Sequence, residues 1–307
     1  MSKCILICGG SGLLGVNLAI YFRNRVKVIL ALNKKKVVIK NVKNKIIDLN
    51  SIDNICSIIE SESIDLVINA SGYTNIEKCE EFVNEAINVN TTIPLNLAKA
   101  CNALGVKLVH ISTDHLFSGD RNFYKEISKI EPQNVYGHTK HRGEIKVLEN
   151  CKNSLIIRTN FFGWGPKYRS SFSDYIIYNL KQKNKIFLFE NVFFTPIATG
   201  NFITVLNCLI FKNVTGVYNI VGDERVSKYN FGLKLAKAFN LDSNLITPIK
   251  IEEKNDLVKR PKDLSLSNEK VRKLLGRPLG LLDMQIESLK SDCVNGIKPE
   301  IRNIKLI

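Results

Sequence analysis

The sequence predicts an α/β fold organised around a doubly wound parallel sheet. Two features of its first half predict it. Short β-rich runs alternate with longer amphipathic stretches, which is the pattern of repeated βαβ units. A glycine-rich turn also follows the first run and opens a helical pattern. In chain order, the apolar run CILIC (4–8) is bounded by glycine and reads as the first strand, and residues 12–23 carry an apolar helical pattern. VKVILAL (26–32) is the second strand, followed by a helix near 52–61. DLVIN (65–69) is the third strand, and one long helix near 84–104 leads to VKLVHIS (106–112), the fourth. A polar loop (113–133) precedes a helix starting near Asn134 and the strand SLIIR (154–158). Beyond 159 the rhythm breaks into the aromatic loops NFFGWG and ENVFFTP, one late β-like run, GVYNIV (216–221), and polar helical pieces near 227–239, 267–275 and 283–296. There is no internal repeat and no low-complexity linker.

Composition narrows the class of protein. A chain of 307 residues that is 45% hydrophobic can build a large core. No stretch approaches the roughly 18 unbroken apolar residues of a membrane helix, and CILIC is too short for a signal peptide, so a soluble, cytoplasmic protein with no membrane partner is expected. The eight cysteines are scattered, without Cys-x-x-Cys or Cys/His clustering, and are expected to be reduced and mostly buried, with no metal. The net charge of +15 raises nucleic-acid binding, but there is no arginine-rich run and lysine is spread along the chain. No nucleic-acid partner is expected; the positive field suits anionic small molecules such as nucleotides.

The turn after the first strand reads GGSGLLG, Gly9 to Gly15. Gly10, Gly12 and Gly15 match one dinucleotide-binding spacing, and Gly9, Gly12 and Gly15 match another. Glycines let the backbone turn tightly and approach a pyrophosphate at the helix N-terminus, with Leu13 and Leu14 in the first helical turn beside it. This makes the fold Rossmann-like. A carboxylate at the end of the second strand would hold the free ribose of NAD, but the chain there reads Asn33-Lys34-Lys35-Lys36. Cations in that place neutralise the 2′-phosphate of NADP, so NADP(H) is expected, with NAD(H) the alternative. Asp48 and Leu49 are expected at the adenine edge, and Ala70, Ser71 and Gly72 along the middle of the cofactor. The expected division is a nucleotide-binding domain of 1–158 plus roughly 196–222, and a smaller, mostly C-terminal substrate-binding part of 159–195 and 223–307.

The helix near Asn134 begins VYGHTK. Tyr136 and Lys140 stand four residues apart and so share a helix face. A phenol of pKa about 10 exchanges protons sluggishly at neutral pH, and a neighbouring ammonium is expected to draw it down. Ser112 and Thr113, after the fourth strand, complete the set: Thr113 orients a substrate carbonyl, Tyr136 gives it a proton, and Lys140 also holds the nicotinamide ribose.

The segments GGSGLLG, NASGYTNIEKCE, NVNTTIPLNLAKAC, HISTDHLFSGD, YKEISKIEPQNVYGHTKHRGE and IIRTNFFG resemble the extended short-chain dehydrogenase/reductase superfamily. Within it they are most similar to the dTDP-4-dehydrorhamnose reductase family. The similarity runs from residue 3 to about 165 and returns weakly at Arg260-Pro261. It implies NADPH-dependent reduction of the 4-keto group of a nucleoside-diphosphate-linked deoxysugar for surface polysaccharide, with Thr113, Tyr136 and Lys140 as the catalytic set. It also implies substrate contacts from Thr74, Asp114, His115 and Phe161, with Arg260 at the diphosphate, and a homodimer is compatible with it. His115 stands where that family usually has tyrosine and Phe161 where it usually has tryptophan, so the sugar can differ from dehydrorhamnose. No glutamate follows Thr113-Asp114, which argues against a 4,6-dehydratase. Most aromatic residues after 160 are expected to pack, and the basic run 34–45 to form a solvated loop or hairpin. Two other functions stay open: a nucleotide-sugar epimerase of the same fold, against which the lysines after the second strand argue, and a non-catalytic NADP-binding subunit, since the β subunit of methionine adenosyltransferase also resembles this reductase family.

Overall fold

The structure, a computed structural model, describes residues 4–33, 36–254 and 256–307. Seven parallel strands form the central sheet: β1 (Cys4–Cys8), β2 (Lys27–Leu32), β3 (Lys43–Ile46), β4 (Leu66–Asn69), β5 (Lys107–Ile111), β6 (Ser154–Arg158) and β7 (Gly216–Asn219). Their spatial order is β7-β6-β5-β4-β1-β2-β3, so the order reverses at β1. Because strand side chains alternate, each strand serves two cores. Ile5 and Ile7 of β1 face a cluster containing Val16 and Leu18 of helix α1 (Leu13–Phe22) and Phe202 and Leu206 of the helix Thr199–Phe211. Cys4, Leu6 and Cys8 face the opposite cluster, with Ile55, Ile59, Leu97 and Val147 from the helices Ile52–Ser61, Ile93–Ala103 and Val135–Asn150. Both sheet faces are therefore covered, as the continuous apolar strands require.

Residues 43–46 are a strand, not the solvated loop or hairpin expected from their lysines. They extend the sheet in parallel register beside β2, Ile29 opposite Lys43 and Leu32 opposite Ile46. Glu62 makes this edge possible by accepting from Lys27 at 2.9 Å and Lys43 at 2.6 Å, with Lys45 at 3.3 Å. Those contacts, Lys43 foremost, hold its carboxyl down at about 2. The expected single helix of 84–104 is interrupted. A π-helical turn, Asn88–Thr92, separates Val83–Ile87 from Ile93–Ala103, whose Pro94 suits a helix start but not an interior.

The late chain is richer than its sequence suggested. Beyond β6 it adds helices Phe172–Lys181 and Thr199–Phe211, and a parallel pair of strands, Ile186–Phe189 with Ile246–Ile249. Helix Thr199–Phe211 reads TGNFITVLNCLIF, apolar almost all round, so no period marks it as helical. Helix Phe172–Lys181 did carry a signal: Ser171 and Asp174 form a reciprocal capping box. Trp164, Phe194, Phe202 and Phe231 are fully buried, and the core on the α1 side of the sheet continues into these later elements without a break. Among the described residues no helix is long and apolar enough to cross a membrane.

Candidate active site

A cleft of about 770 Å³ opens along the C-terminal ends of β1, β2, β4 and β5, where the strand order reverses and where open α/β sheets bind ligands. Its floor is the β1–α1 turn. Gly9 adopts φ +75°, and a Cβ there would lie 2.6 Å from the Ser71 nitrogen; a Cβ on Gly15 would collide with the Gly9 carbonyl. Only glycine lets this turn close against the end of β4. The N-cap of α1 is Gly12, with no side-chain cap and no acidic residue in the first turn, so its leading N–H groups face the cleft unclaimed by a side chain. That is the local chemistry that receives a pyrophosphate. Gly9, Gly12, Leu13 and Leu14 line the cleft, whereas Gly15 lies behind it as packing.

Asn33, Asp48 and Leu49 line the outer end, and Ala70, Ser71 and Gly72 the middle. Asp48 accepts from the Asn50 backbone at 2.9 Å, and Asn96 donates to the Leu49 and Asn50 carbonyls at 3.1 Å each, so this loop has a fixed shape. Ser71 is held by Asn69, whose amide in turn meets the His110 ring at 3.1 Å. Lys34 lies outside the described residues, as does Lys35. Lys36 is exposed and paired through its backbone with Ile307 at 2.8 and 2.9 Å.

At the inner end, Ser112 and Thr113 follow β5, and Tyr136 and Lys140 descend from the helix capped by Asn134, which accepts from the Gly137 nitrogen at 2.9 Å. A Cβ on Gly137 would collide with the His115 carbonyl, so the glycine of YGHTK is what brings Tyr136 against the Thr113 turn. Lys140 donates to the Ile111 carbonyl at 2.7 Å, which ties its side chain to the end of β5. Burial pushes the Lys140 ammonium down to about 8, while Glu144 opposes that. Burial also pushes the Tyr136 phenol well above its usual range, with the Thr113 hydroxyl pulling the other way. The lowering expected from Lys140 does not arise: burial dominates, and the one downward pull comes from the Thr113 hydroxyl. A phenol walled in by protein is costly to ionise, and Tyr136 stays a protonated donor at neutral pH.

The π-helical turn positions Asn90 behind this set. Its amide accepts from the Tyr73 nitrogen at 2.9 Å and donates to the Thr139 hydroxyl at 3.1 Å, linking the loop that carries Thr74 to the Tyr136 helix. Ser112 Oγ, His115 Nδ1 and Thr159 Oγ1 are buried in the cleft wall without a hydrogen-bond partner among the described residues. Buried polar atoms are usually hydrogen-bonded, to protein, to water or to a ligand, so these three are free to meet whatever occupies the cleft. The uncapped helix, the glycine turn and these open donors and acceptors fit a dinucleotide lying from α1 to Ser112, with a second ligand beyond it.

The model of the RmlD substrate binding domain matches residues 2–289 of this chain. The chain belongs to that family. One RmlD relative, the dTDP-4-dehydrorhamnose reductase of Aggregatibacter actinomycetemcomitans, is 29% identical over 286 residues, 89% of this chain and 93% of that protein. A hypothetical dTDP-4-dehydrorhamnose reductase from Sulfolobus tokodaii superposes with a TM-score of 0.81 at 30% identity, over 92% of this chain and 98% of its own. The dTDP-4-dehydrorhamnose reductase of Bacillus anthracis, solved in complex with NADP, shares the fold with a TM-score of 0.82 at 24% identity, over 95% of this chain and all of its own.

Within this RmlD chain the substrate residues named from sequence do not all converge. Thr74, Asp114, His115 and Phe161 line the cleft. Asp114 accepts from Thr113 at 3.2 Å and from the Asn160 amide. His115 packs edge-on against Tyr136 with ring centroids 5.6 Å apart, and burial holds its imidazole below the usual range, so it is neutral. Arg260 does not reach the cleft wall: its guanidinium pairs with Glu77 and donates to the Val258 carbonyl at 3.1 Å. Sequence reading missed Asn88, Val89, Thr159, Asn160 and the segment Arg169–Phe172, all cleft-lining. The last reaches the cleft from beyond β6: Tyr168 donates to the Ser11 carbonyl at 3.1 Å, and Arg169 to Thr74 at 3.3 Å.

Proposed function

We propose that this RmlD family member is an NADPH-dependent reductase of a nucleotide-linked 4-keto-6-deoxysugar, serving deoxysugar synthesis for surface polysaccharide. The observation that carries this reading is the position of Thr113, Tyr136 and Lys140 at the inner end of a cleft whose floor is a dinucleotide-type glycine turn. Gly9, Gly12, Leu13, Leu14, Asn33, Asp48, Leu49, Ala70, Ser71, Gly72 and Ser112 would hold NADP(H), and when bound it supplies the hydride to the carbonyl carbon. Tyr136 releases its phenolic proton to the carbonyl oxygen as the C–O double bond becomes single. Thr113 holds that oxygen in line with the phenol. The resulting phenolate is stabilised by Lys140, fixed by the Ile111 carbonyl so that its charge lies on the same helix face one turn away. The residues 1–158 and 196–222 form the cofactor part of this reading, and 159–195 and 223–307 the sugar part. The enzyme works in the cytoplasm, and a homodimer is compatible with it.

Incubation with NADPH and a panel of dTDP-, UDP-, GDP- and CDP-linked 4-keto sugars, followed by nicotinamide absorbance, tests the reading. Oxidation of NADPH with formation of the 4-hydroxy sugar is expected for at least one. No oxidation with any member overturns it and favours a non-catalytic, NADP-binding role. NADPH is also expected to bind more tightly than NADH, because Lys34 to Lys36 follow β2 where a carboxylate would otherwise hold a free ribose. Neutralising those lysines should shrink the preference in a fluorescence titration. Equal affinity for both cofactors in the intact protein would refute it.

A further inference from the structure

The loop 165–171, beyond β6, is pinned at both ends by one carboxylate. Asp174, which is fully buried, accepts from the Gly165 nitrogen at 2.8 Å and from the Ser171 nitrogen at 3.0 Å through the same oxygen. Its other oxygen accepts from Arg302 at 2.8 Å. Within the loop the Arg169 nitrogen donates to the Pro166 carbonyl at 2.9 Å, and a Cβ on Gly165 would collide with the Arg169 carbonyl. The loop is therefore a tight, fixed turn, and it presents Tyr168 and Arg169 at defined places.

Those places are two other loops of the cleft. Tyr168 donates to the carbonyl of Ser11, the residue before the N-cap of α1, at 3.1 Å, and the Arg169 guanidinium donates to the Thr74 hydroxyl at 3.3 Å. The loop thus spans from the glycine turn to the segment after β4, the two segments that meet where Gly9 approaches Ser71. Ser11, Gly12, Gly72, Thr74 and Arg169 all line the same cleft. Among the described residues no carboxylate pairs with Arg169, and the bond to Thr74 leaves most of the guanidinium fork open to a ligand. The α1 N-terminus, with its partial positive charge, carries no acidic residue in its first turn. Two positive centres that share one cleft are best reconciled by an anion that meets both.

We propose that Arg169 is a cofactor-binding residue: its guanidinium binds the pyrophosphate of the dinucleotide together with the α1 N-terminus, and Tyr168 positions it by tying the loop to Ser11. This inference rests on the cofactor part of the reading above and deepens it. The planar fork of an arginine matches phosphate oxygens and gives charge-assisted hydrogen bonds. The tie to Ser11, beside Gly12, favours the cofactor's pyrophosphate over the diphosphate of the sugar nucleotide.

The test compares wild type, Arg169→Gln and Arg169→Lys by calorimetry with NADPH, NADH, 2′-AMP and a nucleoside diphosphate as probes. The 2′-AMP carries adenosine and the 2′-phosphate but no pyrophosphate. Arg169 is exposed and its side chain makes one hydrogen bond, so both variants should fold and melt as wild type does. Arg169→Gln should lose about tenfold in affinity for NADPH and NADH alike, the scale of one charge-assisted hydrogen bond. It should keep its affinity for 2′-AMP and for the nucleoside diphosphate, and its NADPH binding should weaken less steeply with salt than that of wild type. Arg169→Lys should recover part of the loss, since it restores the charge without the fork. An equal loss for 2′-AMP, or a loss confined to the nucleoside diphosphate, overturns the proposal. A wild type that binds neither NADPH nor NADH refutes the cofactor reading and this proposal with it. Tight wild-type binding that Arg169→Gln fully retains overturns this proposal alone.

Discussion

Tyr136→Phe is expected to abolish most turnover while leaving NADPH binding nearly intact. The ring remains packed edge-on against His115, so only the proton-donating hydroxyl is lost. General acid catalysis is worth about 10² to 10⁴ in rate, and kcat should fall by at least that order. The two nearest alternatives are poorly suited to replace the phenol: His115 is neutral and Lys140 is tied to the Ile111 carbonyl. Lys140→Ala should damage both turnover and cofactor affinity, because in the proposed mechanism that side chain supports the phenolate and holds the nicotinamide ribose. Steady-state kinetics on a confirmed keto-sugar, with NADPH titrated separately, distinguishes the two. A Phe variant with nearly normal kcat would reduce Tyr136 to a packing residue.

The second large effect concerns stability. Arg158, the last residue of β6, is 3% exposed and Glu144, on the Tyr136 helix, 2%. The guanidinium donates to both carboxylate oxygens at 3.0, 3.3 and 2.7 Å and to the Glu126 carbonyl at 3.0 Å. Arg158→Met leaves a buried carboxylate without its partner and is expected to destabilise by about 3–5 kcal/mol, measured by urea unfolding. The double variant Glu144→Leu/Arg158→Met removes both charges and should recover most of the loss, because a well-packed apolar pair avoids the desolvation cost of ions. A single variant as stable as wild type would show that the pair contributes nothing to holding this helix on the sheet.

The parts of the fold that were legible are those whose information is local. The strands β1, β2, β4, β5, β6 and β7 are short apolar runs bounded by turns, and each appears within a residue or two of its expected place. The glycine turn was legible for the same reason: a left-handed Gly9 and a close-packed Gly15 are demands that only one residue type meets. The misread elements are those where a distant partner overrides local character. Lys43–Ile46 is a strand because Glu62 neutralises its lysines and β2 supplies the hydrogen bonds. The helix expected over 84–104 is broken by a turn whose Asn90 bonds to Tyr73 and Thr139, neither near in sequence.

By itself the sequence determined the sheet's apolar strands, the cofactor-type turn, and the order Thr113, Tyr136, Lys140 along the chain. Each follows from residue type and short-range spacing, since a tyrosine and a lysine four apart must share a helix face wherever the helix goes. Only the tertiary structure decided which side chains surround that face. It brought Arg169 and Phe172 to the cleft from beyond β6, left Arg260 paired with Glu77 away from the cleft wall, and buried Tyr136 so that its phenol is raised rather than lowered. The physical reason is that exposure to water, and with it the cost of charge, depends on how segments more than a hundred residues apart pack, and no local pattern carries that distance.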